Sequence, residues 1–257
     1  MQRLGRNIGR YHGEPIEIAQ VQREVHRLAE LHGWECDTFL ETPRLTLRAY
    51  RRPFPGATKN VYLSAGIHGD EPSGPLALLQ LLEENRWPDA NLWMVPCLNP
   101  PGFELNQREN ADGIDLNRDY RHLRTAEVAA HAAWLQAQPR FDLTLILHED
   151  WESNGFYVYE LNPSNLPSLA ESIVESVRDL CPIETAAEVD SWPCNAGIIR
   201  PQAPPEERPQ WAESLYLIVH KSRLSYTLET PSDFDITLRV KAHVRAVRAA
   251  FAIIPRD

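Results

Sequence analysis

The chain has 257 residues, 43% of them hydrophobic and 24% charged, with seven Trp, eight Tyr and seven Phe. A chain of that size buries about three quarters of its unfolded surface, which excludes disorder and makes one domain over residues 1–257 the expectation. With 36 acidic against 26 basic side chains the formal net charge is −10, which excludes general attraction to nucleic acid or to an anionic membrane surface.

No apolar stretch follows the opening Met1–Arg6, so no secretory signal is expected. The longest apolar run, around Leu76–Leu82, is far short of the roughly 20 residues that cross a bilayer. Cys36, Cys97, Cys181 and Cys194 stand far apart with no CxxC spacing. Free thiols in a reducing, cytoplasmic setting are therefore expected.

Val21, Val25, Leu28 and Leu31 recur at helical spacing and stop at Gly33, a glycine C-cap. Leu45–Tyr50 alternates like a strand, and Val61–Ile67 is apolar enough for a buried one. A helix over Leu76–Leu82 and a strand over Leu92–Val95 follow. Thr125 is placed to cap a helix with the stripe Val128, Ala132, Leu135. Leu143–Leu147 and Phe156–Tyr159 read as strands, with a helix after Pro167 carrying Ile173, Val177 and Leu180. Four prolines between Arg200 and Pro209 forbid a helix interior or central strand there, so a loop is expected, placed to cover a site. Ser225–Leu228 is a late strand, and Val240, Val244, Val247, Phe251 and Ile254 mark the last helix. Strands alternating with helices give an α/β fold: a mixed, mostly parallel central sheet with helices on both faces.

Open α/β sheets bind ligands beyond the carboxyl ends of their strands. His68-Gly69-Asp70-Glu71 follows the strand at Val61, His148-Glu149-Asp150 follows Leu147, and Glu229 follows Leu228. Three strands thus bring imidazole and carboxylate groups to one edge. His68, Glu71 and His148 make a His₂Glu set for Zn²⁺, one ion per chain, with a position left open. Gly69 lets the chain bend tightly between the first two ligands. The competing reading of His68-x-x-Glu71 is an exposed polar turn. Residues 108–120 are rich in turn formers, and Arg108, Asn117 and Arg118 there suit an anion. The competing reading is a loop held by its own Asp–Arg pairs.

Taken together these motifs resemble the zinc carboxypeptidase (carboxypeptidase A-like) metallopeptidase family, most of all the small bacterial branch that includes murein peptide amidases. Gly66–Glu71 is similar to its first metal motif, and Arg108 with Asp112–Arg118 to its arginine-plus-DxNR motif. Leu147-His148 is similar to the third-ligand strand, and Thr227–Thr230 to the catalytic glutamate strand; the four cover about residues 60–230 in the family's order. The resemblance implies that His68, Glu71 and His148 bind zinc, and that Glu229 is general base and then acid. It implies that Arg108 stabilises the oxyanion, that Asn117 and Arg118 hold a substrate carboxylate, and that Asp115 accepts a hydrogen bond from His68.

Two features depart from the family. Asp119 stands where Asn is common, and is expected to alter a pocket wall. No tyrosine lies between Asp190 and Leu215, so Tyr216 is the nearest candidate for the family's mobile tyrosine. Trp151 and Trp192 are assigned to core or rim packing in preference to the pocket. Glu149 and Asp150 are open between reading a substrate amine and a partly solvated supporting role. His26, His32, His131 and His243 are taken as surface residues, and Arg239, Lys241, Arg245 and Arg248 as a solvated helix face.

The preferred function is a zinc-dependent metallocarboxypeptidase that hydrolyses a C-terminal peptide bond with metal-activated water and a Glu base. Its substrate would be a small peptide, a muropeptide or an N-acyl amino acid with a free carboxylate. No nucleic acid and no membrane are expected as partners. The runner-up is an N-acyl amino acid deacylase of the aspartoacylase/succinylglutamate desuccinylase type. Those relatives carry a β-rich domain after the catalytic Glu, whereas here a single helix is read after Glu229. A third reading is a non-catalytic protein that binds peptide ends; the presence of Glu229 and Arg108 argues against it.

Overall fold

A computed structural model describes residues 3–7, 11 and 13–253; Met1 and Ile254, named above, lie outside them. Helix α1 (Ile18–Leu31) buries Ile18, Val21, Val25 and Leu28 and ends where Gly33 takes φ +74°. Leu31 is 66% exposed, so the apolar stripe is one turn shorter than its spacing suggests. Strands β1 (Glu35–Glu41) and β2 (Thr46–Arg52) pair antiparallel. They are followed by β3 (Asn60–Ala65), α2 (Ser73–Glu84), β4 (Asn91–Val95) and α3 (Pro100–Leu105).

Beyond the 108–120 loop come α4 (Ala126–Ala137), β5 (Leu143–Asp150), β6 (Tyr157–Leu161) and α5 (Ala170–Val177). Three short strands, β7 (Glu188–Val189), β8 (Trp192–Asn195) and β9 (Ile198–Ile199), lead into the proline-rich loop. The chain then forms α6 (Glu213–His220), β10 (Ser225–Pro231) and α7 (Ile236–Ile253). The ten strands make one sheet in the order β1-β2-β4-β3-β5-β10-β6-β9-β8-β7. Its centre, β4-β3-β5-β10, is parallel. Antiparallel strands β2 and β6 flank that centre.

The parallel strands read as unbroken apolar runs because both faces are covered. One face packs α1, α2, α5 and α7 over Leu63, Leu145 and Leu228. The other packs α4 and α6 over Tyr62, Ile146 and Phe141. The described residues thus form one α/β domain with helices on both faces of a large mixed sheet.

Three residues assigned to the surface are buried. His131 sits between the hydroxyls of Tyr62 (2.9 Å) and Tyr120 (2.6 Å), and burial pushes it down to about 3. His243, also pushed down to about 3 by burial, lies 3.1 Å from Thr230 Oγ1. Arg239 is 1% exposed and bonds Glu149 and Glu14. Periodicity alone missed them because each is buried by a hydrogen-bonding partner on a distant element. His26 and His32 are half-buried, Lys241 is exposed, and Arg245 and Arg248 reach Asp179 and Glu84. All four cysteines are free, three of them buried.

Candidate active site

The carboxyl ends of β3, β5 and β10 open into a cleft of about 740 Å³. Its floor is built by the turn between β3 and α2. Gly66 C=O accepts from the backbone N–H groups of Leu98 (3.1 Å) and Asn99 (2.9 Å), and Asn99 Nδ2 donates to Ile67 C=O at 3.1 Å. A Cβ on Gly69 would lie 1.9 Å from the Gly102 carbonyl carbon, so only glycine allows this approach of the turn to α3. His68 and Glu71 are thereby fixed on one side of the turn. His148 comes from β5, and Glu229 is its registered partner on the parallel neighbour β10.

Nδ1 of His68 lies 2.5 Å from Glu71 Oε1, and Nδ1 of His148 lies 2.8 Å from Glu71 Oε2. One donor atom from each of the three buried residues falls within 4.8 Å of the others, a compact N₂O set suited to a divalent ion. His68 Nε2 lies 3.3 Å from Asp115 Oδ1, on the far side of the ring. A proton held on that side leaves Nδ1 with its lone pair. The donor chemistry therefore fits zinc. Burial alone would raise Glu71, but the two imidazoles outweigh it and hold its carboxyl well below the usual range.

Arg108 donates Nε to Asp115 Oδ2 at 2.9 Å, while its Nη1 lies 3.6 Å from Glu71 Oε1. Asp115 also accepts from Asn117 N at 2.9 Å and starts a short 3₁₀ turn through Leu116–Arg118. Asn117 Oδ1 accepts from Glu213 N at 2.8 Å, which leaves its amide nitrogen as a donor. Arg118 donates Nη1 to the Asn117 carbonyl at 3.0 Å. Glu229 is pushed well above the usual carboxylate range by burial and then by the charges of Glu71, Asp150 and Asp190. All eight residues singled out in the sequence stand around this cleft: seven line it, and Asp115 bonds Arg108 beside it.

The chain is similar to several known proteins. The succinylglutamate desuccinylase/aspartoacylase catalytic domain family matches residues 57–179. Murein peptide amidase A of Escherichia coli K12 is 34% identical over 95 residues, 37% of this chain and 39% of that protein. A candidate metallopeptidase from Shewanella amazonensis superposes with TM-score 0.78 at 25% identity, covering 91% of each chain. A metallo-carboxypeptidase from Pseudomonas aeruginosa, solved with (2-guanidinoethylmercapto)succinic acid, superposes with TM-score 0.69 at 20% identity, covering 94% of this chain and 70% of that one. The fold is that of the metallocarboxypeptidases. The chain spans well under half the length of the curated relatives it matches.

Within that carboxypeptidase fold, several expectations need correction. Tyr216 is in the core, its hydroxyl accepting from Gln136 Nε2 at 2.8 Å, and it does not line the cleft. The tyrosines that do are Tyr11, Tyr157 and Tyr159. Asp119 shapes no pocket wall: its Oδ2 accepts from the backbones of Arg124 and Thr125 (both 2.8 Å) and from Thr125 Oγ1 (2.9 Å). It thereby sets the N-terminus of α4, whose cap Thr125 accepts from Val128 N. Trp151 and Trp192 both line the cleft. Glu149 is buried against Arg239 and Ser73 N, and Asp150 accepts from Tyr157 OH at 3.0 Å.

The proline-rich loop forms part of the cleft wall through Pro201, Ala203, Arg208 and Pro209. Sequence reasoning missed Arg208, Asp190 and Tyr159 there, although an arginine among four prolines was a visible signal. Among the described residues, no helix is long and apolar enough to cross a membrane.

Proposed function

We propose that this chain is a zinc-dependent hydrolase that cleaves the amide bond of a carboxyl-terminal residue. The observation carrying this reading is that His68, Glu71 and His148 converge in the cleft beside Glu229, with Arg108, Asn117 and Arg118 on the same wall. His68 Nδ1, His148 Nδ1 and the Glu71 carboxylate would hold the ion. Bound there, zinc would lower the pKa of a water towards about 7 and polarise a carbonyl.

The remaining work falls to the side chains. Glu229 takes the proton of the attacking water and passes it to the leaving nitrogen. Its raised proton affinity makes it a stronger base than an ordinary carboxylate for the first of those transfers. Arg108, anchored through Nε, presents its remaining N–H groups to the developing oxyanion. Asn117 and Arg118 bind the terminal carboxylate and so place the scissile bond. Asp115 keeps His68 in one tautomer.

The match to the desuccinylase/aspartoacylase catalytic domain favours a second reading, N-acyl amino acid deacylation. It would use the same groups on a smaller acyl donor. Zinc-loaded protein incubated with short peptides, muropeptides and N-acyl amino acids, with products read by mass spectrometry, tests both. Release of a C-terminal residue from peptides supports the first reading, and cleavage of N-acyl amino acids alone supports the second. No chelator-sensitive product in any class would overturn both.

A further inference from the structure

Three arginines line the cleft among the described residues: Arg108, Arg118 and Arg208. Their electrostatic situations differ. Arg108 is compensated by Asp115 at 2.9 Å. Arg118 bonds only a backbone carbonyl, and Arg208 lays its guanidinium over the Trp192 ring, 5.1 Å from the centroid. Neither forms a direct ion pair among the described residues, although Asp115 lies near enough to Arg118 to feel its charge. Arg208 Nη2 is sealed from solvent and has no hydrogen-bond acceptor.

The proline-rich loop does not need that side chain as an anchor. Trp211 Nε1 donates to Pro205 C=O at 2.9 Å, and Arg121 donates to the backbone carbonyl of Arg208. The side chain is therefore free to serve the cleft, and stacking on Trp192 fixes the plane of its fork. Burial without an acceptor disfavours its charge, and an arriving anion would reverse that. Tyr159, also in the cleft lining, donates its hydroxyl to Asp190 at 2.7 Å, and Asp190 forms no ion pair with Arg208. Two guanidinium groups on separate segments of one cleft, neither directly ion-paired, suit a ligand with two anionic groups.

We propose that Arg208 is a specificity-determining residue that reads a second carboxylate. The preferred substrate then carries an acidic side chain on the same residue whose terminal carboxylate meets Arg118. The role of Arg118 here rests on the function proposed above. A carboxylate offers the guanidinium two parallel charge-assisted bonds, whereas the isosteric amide offers one acceptor and no charge.

The first test is kcat/KM of the zinc-loaded protein on N-blocked dipeptides ending in Glu, Gln, Asp, Asn or Lys, in both hands. Acidic ends should exceed their amides by on the order of tenfold or more. In Arg208→Met that ratio should fall to near one, while Arg208→Lys should retain part of it. A ratio near one in the wild type, or an undiminished ratio in Arg208→Met, would overturn the proposal. The second test is calorimetric titration with succinate, glutarate and adipate against the monoacids of equal length. The best diacid should bind on the order of tenfold more tightly than its monoacid, and Arg208→Met should erase that gap. Equal affinities, or a gap surviving in Arg208→Met, would again overturn it. If no peptide is hydrolysed the peptidase reading fails, but the titration still decides Arg208.

Discussion

Replacing Arg239 with methionine tests whether the floor of the cleft is held by a buried ion pair. Arg239 donates Nε to Phe234 C=O at 2.9 Å, reaches Glu14 Oε2 at 2.6 Å, and bonds the Glu149 carboxylate. The Glu149 side chain is fully buried, and its other oxygen accepts from Ser73 N at 2.6 Å, where α2 begins. Methionine fills most of the arginine volume but strands a carboxylate directly after His148. Removing one partner of a buried pair costs about 3–5 kcal/mol. At roughly 2–4 °C per kcal/mol for a domain of this size, Tm should fall by about 6–20 °C. Circular-dichroism melts at saturating zinc measure this. The double variant Glu149→Gln with Arg239→Met should recover part of the loss, because neither charge is then uncompensated. A single variant within about 1 kcal/mol of the parent, as expected for an exposed pair, would refute the reasoning. So would a double variant no more stable than Arg239→Met.

Other substitutions separate the roles around the cleft. Glu229→Gln should keep zinc, measured by metal analysis, and lose about 10²–10⁴ in kcat/KM; near-parental turnover would exclude it as the base. Asp115→Asn should weaken zinc about 10–100-fold in a chelator competition by releasing the His68 tautomer, and unchanged affinity would argue against that link. Arg118→Ala should raise KM for substrates with a free terminal carboxylate and spare their amides; equal loss on both would remove Arg118 from carboxylate binding. Glu213 is pushed up to about 7 by burial, against an unfolded value near 4.5. The folded chain therefore holds an extra proton between those values, and stability from this group is full below about 4.5 and lost as pH rises through about 7. Glu213→Gln should melt higher relative to the parent at pH 8 than at pH 5, by at most about 3 kcal/mol. An identical difference at both pH values would contradict that.

How much of this was legible beforehand depended on how each group is held. The buried strands and the residues at their carboxyl ends were readable, because a parallel sheet covered on both faces leaves long apolar runs that end abruptly in polar groups. His68, Glu71, His148 and Glu229 each sit at such an end, so chain order alone predicted their convergence. The polar core was not readable. His131 lies on a helix whose face also carries Ala132 and Leu135, and its burial depends on Tyr62 and Tyr120 from elsewhere in the chain. Arg239 likewise depends on Glu149, far away in sequence. Tyr216 is merely the first tyrosine after Asp190 in the chain; its ring packs against Tyr120 in the second core and its hydroxyl meets Gln136, partners far away in sequence.

Net charge shows the same division. The value of −10 describes the whole surface and argues against attraction to polyanions. Binding of a small anion depends instead on which cations lack a partner. Arg239, Arg245 and Arg248 add to the basic total but are consumed by Glu149, Asp179 and Glu84. Arg118 and Arg208 are not consumed among the described residues, and both face the cleft that holds the His₂Glu set. An acidic chain can thus still present anion-binding groups, because pairing occupies its other arginines and leaves these two without an ion-pair partner. Carboxylates line the same cleft, among them Asp150 and Asp190, each of which accepts from a tyrosine hydroxyl, so what distinguishes these two arginines is the absence of a direct ion-pair partner. Selectivity for a dianion over a monoanion is therefore the property most directly tied to this arrangement of charges.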